Sequence, residues 1–300
     1  MNDKVVVIVN KKVSIFAHYD IDNCVDEYVF FYLKELKKIN TDIVFVSTSF
    51  LDEITIKKLY MICDNVIVRE NTGYDFMSYK VGLDSVDLCL YDEVILCNDS
   101  VYGPFYPFED IFTKMQTKSC DFWGITSSHE ISFHLQSYFL VFKKQVFLSE
   151  VFKGFWQNLK VLDSKTEIIQ RYEIGLSQQL ISYGFRADVY AMYEASLMQK
   201  FIFKLKRVTL QKVIKKFFNL KPKQHNSIVK EFKSFNNTHI FWKELILKAK
   251  MPFIKIELLR DNPIQVDISD YESIIKHISN YDTFLIENHL KRIKKEIEIV

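Results

Sequence analysis

DEVILCNDS, residues 92–100, joins an apolar run without alternation to a polar tripeptide. An unbroken apolar run of that length fits a strand buried on both faces, as in a parallel sheet. Working outward, the same kind of segment recurs. Upstream, Lys4–Val9, Val13–Ala17, Asp42–Val46 and Asn65–Val68 read as strands. Between them, Asp22–Ile39 carries apolar residues at Val25, Val29, Tyr32, Leu33 and Leu36, a helical period. Ser49 with Asp52 predicts a capping box opening a helix to about Cys63. Downstream, Cys120–Thr126, Tyr138–Phe142 and Phe185–Tyr190 are strand candidates, and Lys165–Ser182 is a helix closed by Gly184. Strand–helix alternation predicts an α/β fold, a mostly parallel Rossmann-like sheet with helices on both faces, plus a helical C-terminal part. The expected division is residues 1–197, a basic amphipathic helix and linker over 198–236, and 237–300.

Composition bounds the rest. The 300 residues are 48% hydrophobic and 26% charged, which excludes wholesale disorder. With 40 basic and 38 acidic residues the net charge is +2, so no nucleic-acid partner is implied. Five cysteines, none in CxxC spacing, predict reduced thiols rather than a disulfide framework or zinc knuckle. No apolar run approaches the ~18 residues of a membrane span, and the expectation is a cytoplasmic protein. From Gln199 to Lys223 nine basic and no acidic residues are interleaved with Phe201, Phe217 and Phe218. Such a stretch is either a solvated helix face or a peripheral contact with anionic lipid. Beyond it, His239–Lys250, a segment from Pro252, a helix capped by Ser269 with Glu272 and a charged final helix make up the C-terminal part.

Open α/β sheets bind ligands at the carboxyl ends of their strands. Those ends are His18-Tyr19-Asp20, Ser47-Thr48-Ser49, Arg69–Asp75 and Asn98-Asp99-Ser100. Polar residues gather there, although turns favour the same residue types. There is no GxGxxG after the first strand, no P-loop and no GxSxG elbow. His129 and His134 stand one residue too far apart for helical zinc chelation.

RENTGYDFMSYKVGL (69–83), YDEVILCNDSVYGPF (91–105) and CDFWGITSSHE…HLQSYFLVF (120–142) resemble the rhamnan synthesis F family of bacterial polysaccharide glycosyltransferases. FWKELI (241–246) and PFIKIELLRDNP (252–263) resemble that family's C-terminal pattern. The arrangement is also similar to inverting GT-A glycosyltransferases. That resemblance implies a nucleotide-sugar donor, a growing and lipid-linked glycan acceptor, and L-rhamnose passed from dTDP-L-rhamnose with inversion. It places His18, Tyr19 and Asp20 at the first strand's nucleotide element, Ser47 at the second, and Asn71 and Gly73 in the third strand's turn. Asn98-Asp99-Ser100 stands where a DxD motif would hold Mg2+ or Mn2+, with Asp99 as the metal ligand. One carboxylate where two are usual puts metal dependence in question. If no metal binds, Arg69 and Lys80 would have to offset the charge of the leaving diphosphate. Asp75, Tyr79, His134 and Gln136 are donor-sugar candidates by the same resemblance. Glu173, at a helix start like that of inverting enzymes, is the expected base.

Each residue also has a plainer reading. Asp99 is a strand-end turn residue, Asp75 a helix cap, Glu173 a first-turn carboxylate and Lys80 a solvated lysine. Tyr79, Phe122 and Trp123 are core aromatics, and His18 and His134 structural histidines. The corresponding alternative function is a catalytically silent carbohydrate- or nucleotide-binding scaffold of polysaccharide assembly.

Overall fold

The computed structural model describes residues 10–129, 131–162, 164–194 and 237–295. The expected strand Lys4–Val9, the basic stretch 199–223 and the whole of 198–236 lie outside those residues. Four parallel strands form one half of the main sheet: β1 (Lys12–His18), β2 (Thr41–Ser47), β3 (Asn65–Val68) and β4 (Glu93–Asn98). A short β5 (Val101–Tyr102) leaves this sheet; β6 (Phe122–Gly124) rejoins it. A small hairpin, β7 (Ser127–Ser128) and β8 (His134–Leu135), precedes β9 (Phe139–Lys143) and β10 (Ala187–Val189). The spatial order is β10-β6-β9-β4-β1-β2-β3, with β9 antiparallel to both neighbours and every other pair parallel.

Side-chain alternation explains why both faces are covered. Val13, Ile15 and Ala17 of β1 and Val94 and Leu96 of β4 point into one hydrophobic cluster with Phe76, Trp156 and Leu176. Phe16, Ile95 and Cys97 point into the other. That second cluster also contains Trp242, Ile246, Phe253, Leu258, Ile275 and Leu290, so the C-terminal part shares the sheet's core.

The helices are α1 (Glu27–Lys37), α2 (Glu53–Tyr60), α3 (Tyr74–Asp84) and α4 (Phe108–Gln116), then the short α5 (Lys144–Phe147) and α6 (Glu150–Gln157). The long helix expected over Lys165–Ser182 is α7 (Lys165–Ile168), a π-helical stretch Ile169–Ile174, and α8 (Gly175–Ser182). In the C-terminal part come α9 (Asn237–Ile240), α10 (Trp242–Leu247), the two-residue strand β11 (Ile254–Lys255), α11 (Ile256–Arg260), α12 (Tyr271–Ile278) and α13 (Phe284–Lys295).

Three boundaries differ from the sequence reading, each because a side chain found another partner. α1 begins at Glu27 rather than Asp22, since Asp20, Asp22 and Asp26 turn to bind Arg292 of α13. Asp52, not Ser49, caps α2 by accepting from Thr55 N at 2.7 Å, while Ser49 Oγ donates to the Asp20 carbonyl at 2.9 Å. Asp270, not Ser269, precedes α12; Ser269 Oγ donates to Asp267 at 2.7 Å.

Gly82 lets α3 lie directly on β1. A Cβ there would stand 2.2 Å from Ile15 Cγ2. The close approach sets the helix start, and with it Asp75, beside the end of β4.

Candidate active site at the carboxyl end of β4

The strand ends meet in a polar cleft. Asn98 closes β4 and is buried; its Nδ2 donates to Asp75 Oδ2 at 2.7 Å, and its Oδ1 accepts from Ser100 Oγ at 2.6 Å and Ser100 N at 3.2 Å. Asp75 is therefore not a helix cap. That position belongs to Gly73, which has left-handed geometry with φ of 70° and carries no side chain to act as one. Asp99 Oδ2 accepts from Tyr19 N at 2.8 Å, which ties the end of β4 to the end of β1. Both carboxyls sit above the usual carboxylate range, Asp99 well above it. Burial is the main cause for each, and Asp75 is the next largest influence on Asp99.

Glu173 is linked electrostatically to this group through Asp75. It sits in the π-helical stretch, beyond the first turn, and its Oε1 accepts from Ser137 N at 3.0 Å. Ser137 is also held by Tyr79, whose hydroxyl donates to its carbonyl at 2.9 Å. Glu173 adds to the upward push on Asp75, and Tyr79 feels Asp75, Asp99 and Glu173 together. Asp75 thus stands electrically between the strand-end aspartate and the helix glutamate. π-helical turns often occur where a helix must present a side chain out of its ordinary register.

The other candidates are placed as follows. His18 is buried, with Nδ1 2.9 Å from Ser47 Oγ and Nε2 3.9 Å from Asp99. Burial pushes it down to about 4, so it is neutral at pH 7 and its approach to Asp99 is not an ion pair. Asp20 faces Arg292. The Arg69 guanidinium donates to Ser78 Oγ and to the carbonyls of Glu70, Thr72 and Tyr74, holding the loop that contains Asn71 and Gly73. Lys80 pairs with Asp84 at 2.9 Å. His134 and Gln136 are buried, the first on the Ser132 carbonyl and the second accepting from Thr126 Oγ1 at 2.6 Å. Phe122 and Trp123 are core.

One residue in the cleft escaped the sequence reading. Lys255 of β11 lies opposite Val101 of β5 in an antiparallel pair, next to the Asn98–Ser100 turn. Ile256 N donates to the Ser100 carbonyl at 3.1 Å. The Lys255 ammonium stands over the Tyr138 ring, 4.8 Å from its centroid. The available signal was a lysine flanked by Ile254 and Ile256 inside an apolar run. Gly103 makes the docking of β11 feasible: with φ of 133°, a Cβ there would stand 2.3 Å from the Pro252 carbonyl oxygen.

The residues fit a divalent metal poorly. Asn98 and Ser100, the neutral ligands beside Asp99, are spent on each other and on Asp75. One Asp99 oxygen is taken by Tyr19 N. A second acidic group, Asp20, Asp26 and His289, has metal-like spacing. Arg292 already binds both of its carboxylates, and the Nδ1 of His289 is 2.7 Å from Tyr102 Oη.

The chain is similar to several known proteins. It is 31% identical over 207 residues to the virulence protein VirA of Vibrio anguillarum, covering 67% of this chain and 64% of VirA. Protein y4gN of Sinorhizobium fredii is 29% identical over 177 residues, covering 55% of this chain and 45% of y4gN. The chain thus spans less than two thirds of these relatives' own length. Among solved structures, a mannosyltransferase from Pyrobaculum calidifontis in complex with GDP-Man and Mn2+ is 9% identical with a TM-score of 0.41, covering 80% of this chain and 70% of that one. Staphylococcus aureus TarS 1-349 is 14% identical with a TM-score of 0.40, covering 80% and 77%. The family model described as rhamnan synthesis protein F matches residues 43–231, more than half of the sequence. The chain belongs to the rhamnan synthesis protein F family.

Proposed function

We propose that the protein is a GT-A-like, inverting glycosyltransferase of cell-surface polysaccharide synthesis, using a nucleotide-sugar donor. The observation that carries this reading is Glu173, anchored on Ser137 N and acting on the Asp75 carboxyl. Membership of a rhamnan synthesis family supports the pathway, and L-rhamnose from dTDP-L-rhamnose is the donor we assign to it.

In this reading the acceptor hydroxyl loses its proton to the Glu173 carboxylate as its oxygen attacks the anomeric carbon. The bond to the donor phosphate breaks, and the nucleoside diphosphate leaves with the electron pair. Ser137 N holds the base in place, and Tyr79 fixes Ser137. Such positioning lowers the entropic part of the barrier. His18, Tyr19, Asp20, Ser47, Asn71, Gly73 and Asp99 rim the donor side, with His134 and Gln136 behind the sugar. The acceptor is a growing glycan on a lipid carrier. The basic stretch 199–223 then lies against the membrane's inner face from the cytoplasm. Among the described residues no helix is long and apolar enough to cross a membrane.

The test is transfer from dTDP-L-rhamnose, UDP-sugars and GDP-mannose to a lipid-linked glycan by wild type and Glu173→Gln. Product from wild type and none from the variant, with donor binding retained in both, is expected. Donor binding without turnover by wild type across the panel would instead favour a silent binding scaffold.

A further inference from the structure

The site joins Asp75 and Asp99 in a poorly solvated place, and among the described residues neither is ion-paired to an arginine or lysine, although Lys165 and Arg69 act on Asp75 from further away. Arg69 is consumed by its own loop and Lys80 by Asp84. A diphosphate leaving group adds further negative charge that a buried site must meet with a fixed cation or a metal. The donor set around Asp99 fits a metal poorly, as its neutral ligands are already engaged.

We infer that Lys255 is the cation of this site, contributing its ammonium to the donor's diphosphate in place of a divalent metal. This rests on the nucleotide-sugar reading above. Four observations carry it. Lys255 is delivered by β11 to the residue directly after the Asn98–Ser100 turn. Among the described residues it makes no ion pair within 4.0 Å, so its charge is not spent inside the protein. Its ammonium is held by the Tyr138 ring, adjacent in sequence to the Ser137 that anchors Glu173. Glu173, Glu257 and Asp75 all act on it electrostatically, so its charge is felt by the base candidate and by the Asp75 carboxyl.

The surroundings also predict an early alkaline limit. Burial pushes the Lys255 ammonium below the usual lysine range and Lys165 pushes the same way, against Glu173, Glu257 and Asp75. His239, buried nearby and pushed down to about 4, adds no charge at neutral pH. Tyr138 is pushed up by its own burial and stays neutral.

The experiment is calorimetric titration of the full chain with dTDP, UDP, GDP and CDP, with and without excess EDTA, for wild type, Lys255→Met and Lys255→Arg. For whichever diphosphate binds wild type, EDTA is expected to change Kd less than about twofold. Lys255→Met should weaken it by about 10–100-fold, the loss of one charge-assisted contact. Lys255→Arg should recover part of the loss, and the matching nucleoside monophosphate should lose far less. In wild type, affinity should fall on the alkaline side before an ordinary lysine would titrate. In case the Met variant does not fold, amine labelling of wild type followed by mass spectrometry should show Lys255 protected by the diphosphate. A folded Met variant that binds like wild type, unprotected Lys255, or binding abolished by EDTA each overturns the assignment of Lys255. Failure of all four diphosphates to bind wild type would instead bring down the nucleotide-sugar reading itself.

Discussion

Two acidic clusters lie at the same edge of the sheet and are handled in opposite ways. Asp20, Asp22 and Asp26, after β1, close around Arg292, and the Arg292 charge is held up by Asp20 and Asp26 in turn. Asp75 and Asp99, at the ends of β3 and β4, have hydrogen bonds from Asn98 and Tyr19 but no ion-paired arginine or lysine among the described residues. The first cluster has a fixed counter-charge in Arg292 and joins the last helix to the first loop. The second is left with raised carboxyls, which marks where a ligand's charge is accommodated. The difference teaches that an acidic group at a strand end is informative only once its counter-charge has been traced.

The comparison can be broken most directly at the base. Glu173→Gln keeps an oxygen for Ser137 N, so the fold should survive while transfer falls by about 100–10,000-fold; a radiolabelled-donor assay with near wild-type turnover would remove Glu173 from the mechanism. Gly103→Ala comes next. The new Cβ collides with the Pro252 carbonyl, so stability should drop by about 1–3 kcal/mol in urea unfolding, and diphosphate affinity should fall as Lys255 moves. On the balanced side, Arg292→Ala strands three carboxylates and should cost about 2 kcal/mol, discounted for partial exposure. An equal loss from Arg292→Ala when Asp20, Asp22 and Asp26 are all replaced by Asn would argue that Arg292 only packs.

The unbalanced side should respond with the opposite sign. A carboxyl raised on folding favours the folded state below the ordinary carboxylate range and disfavours it as pH rises through the raised value. Asp99→Asn should therefore raise Tm at neutral pH by about 2–4 °C. Scanning calorimetry showing a lower Tm would mean that the carboxylate is balanced after all. The smallest effect belongs to His18. Its depressed value contributes stability above about pH 6.5 that is lost as pH falls towards 4, so His18→Gln should flatten the acid limb of a stability–pH curve.

Much of this was legible along the chain. The apolar runs gave β1, β2, β4, β6 and β9 within a few residues, because a strand buried on both faces must be apolar throughout. The partly exposed edge strands β3 and β10 were found from their β-branched and aromatic neighbours. Asp75, Asp99 and Glu173 were each singled out, and in the structure Asp75 is linked electrostatically to both of the others. Their connections were not readable: Asn98 reaching Asp75, and Ser137 reaching Glu173, depend on how α3 and the π-helical stretch sit on the sheet. Lys255 was missed because a two-residue strand has no period to detect, and its partner Val101 lies far away in sequence. The start of α1 was misplaced for a similar reason, since its preceding carboxylates answer to an arginine of the last helix.

The widened turn Ile169–Ile174 carries a consequence of its own. Removing one residue from it would restore ordinary helical winding and swing everything beyond by about 100° relative to what comes before. A shortened chain of this kind should be easier to wind and unable to keep both Glu173 on Ser137 and Ser177 on the Leu135 amide. Local regularity and the pair of contacts made by Glu173 and Ser177 are thus alternatives here, and the irregular version is the one the sequence encodes.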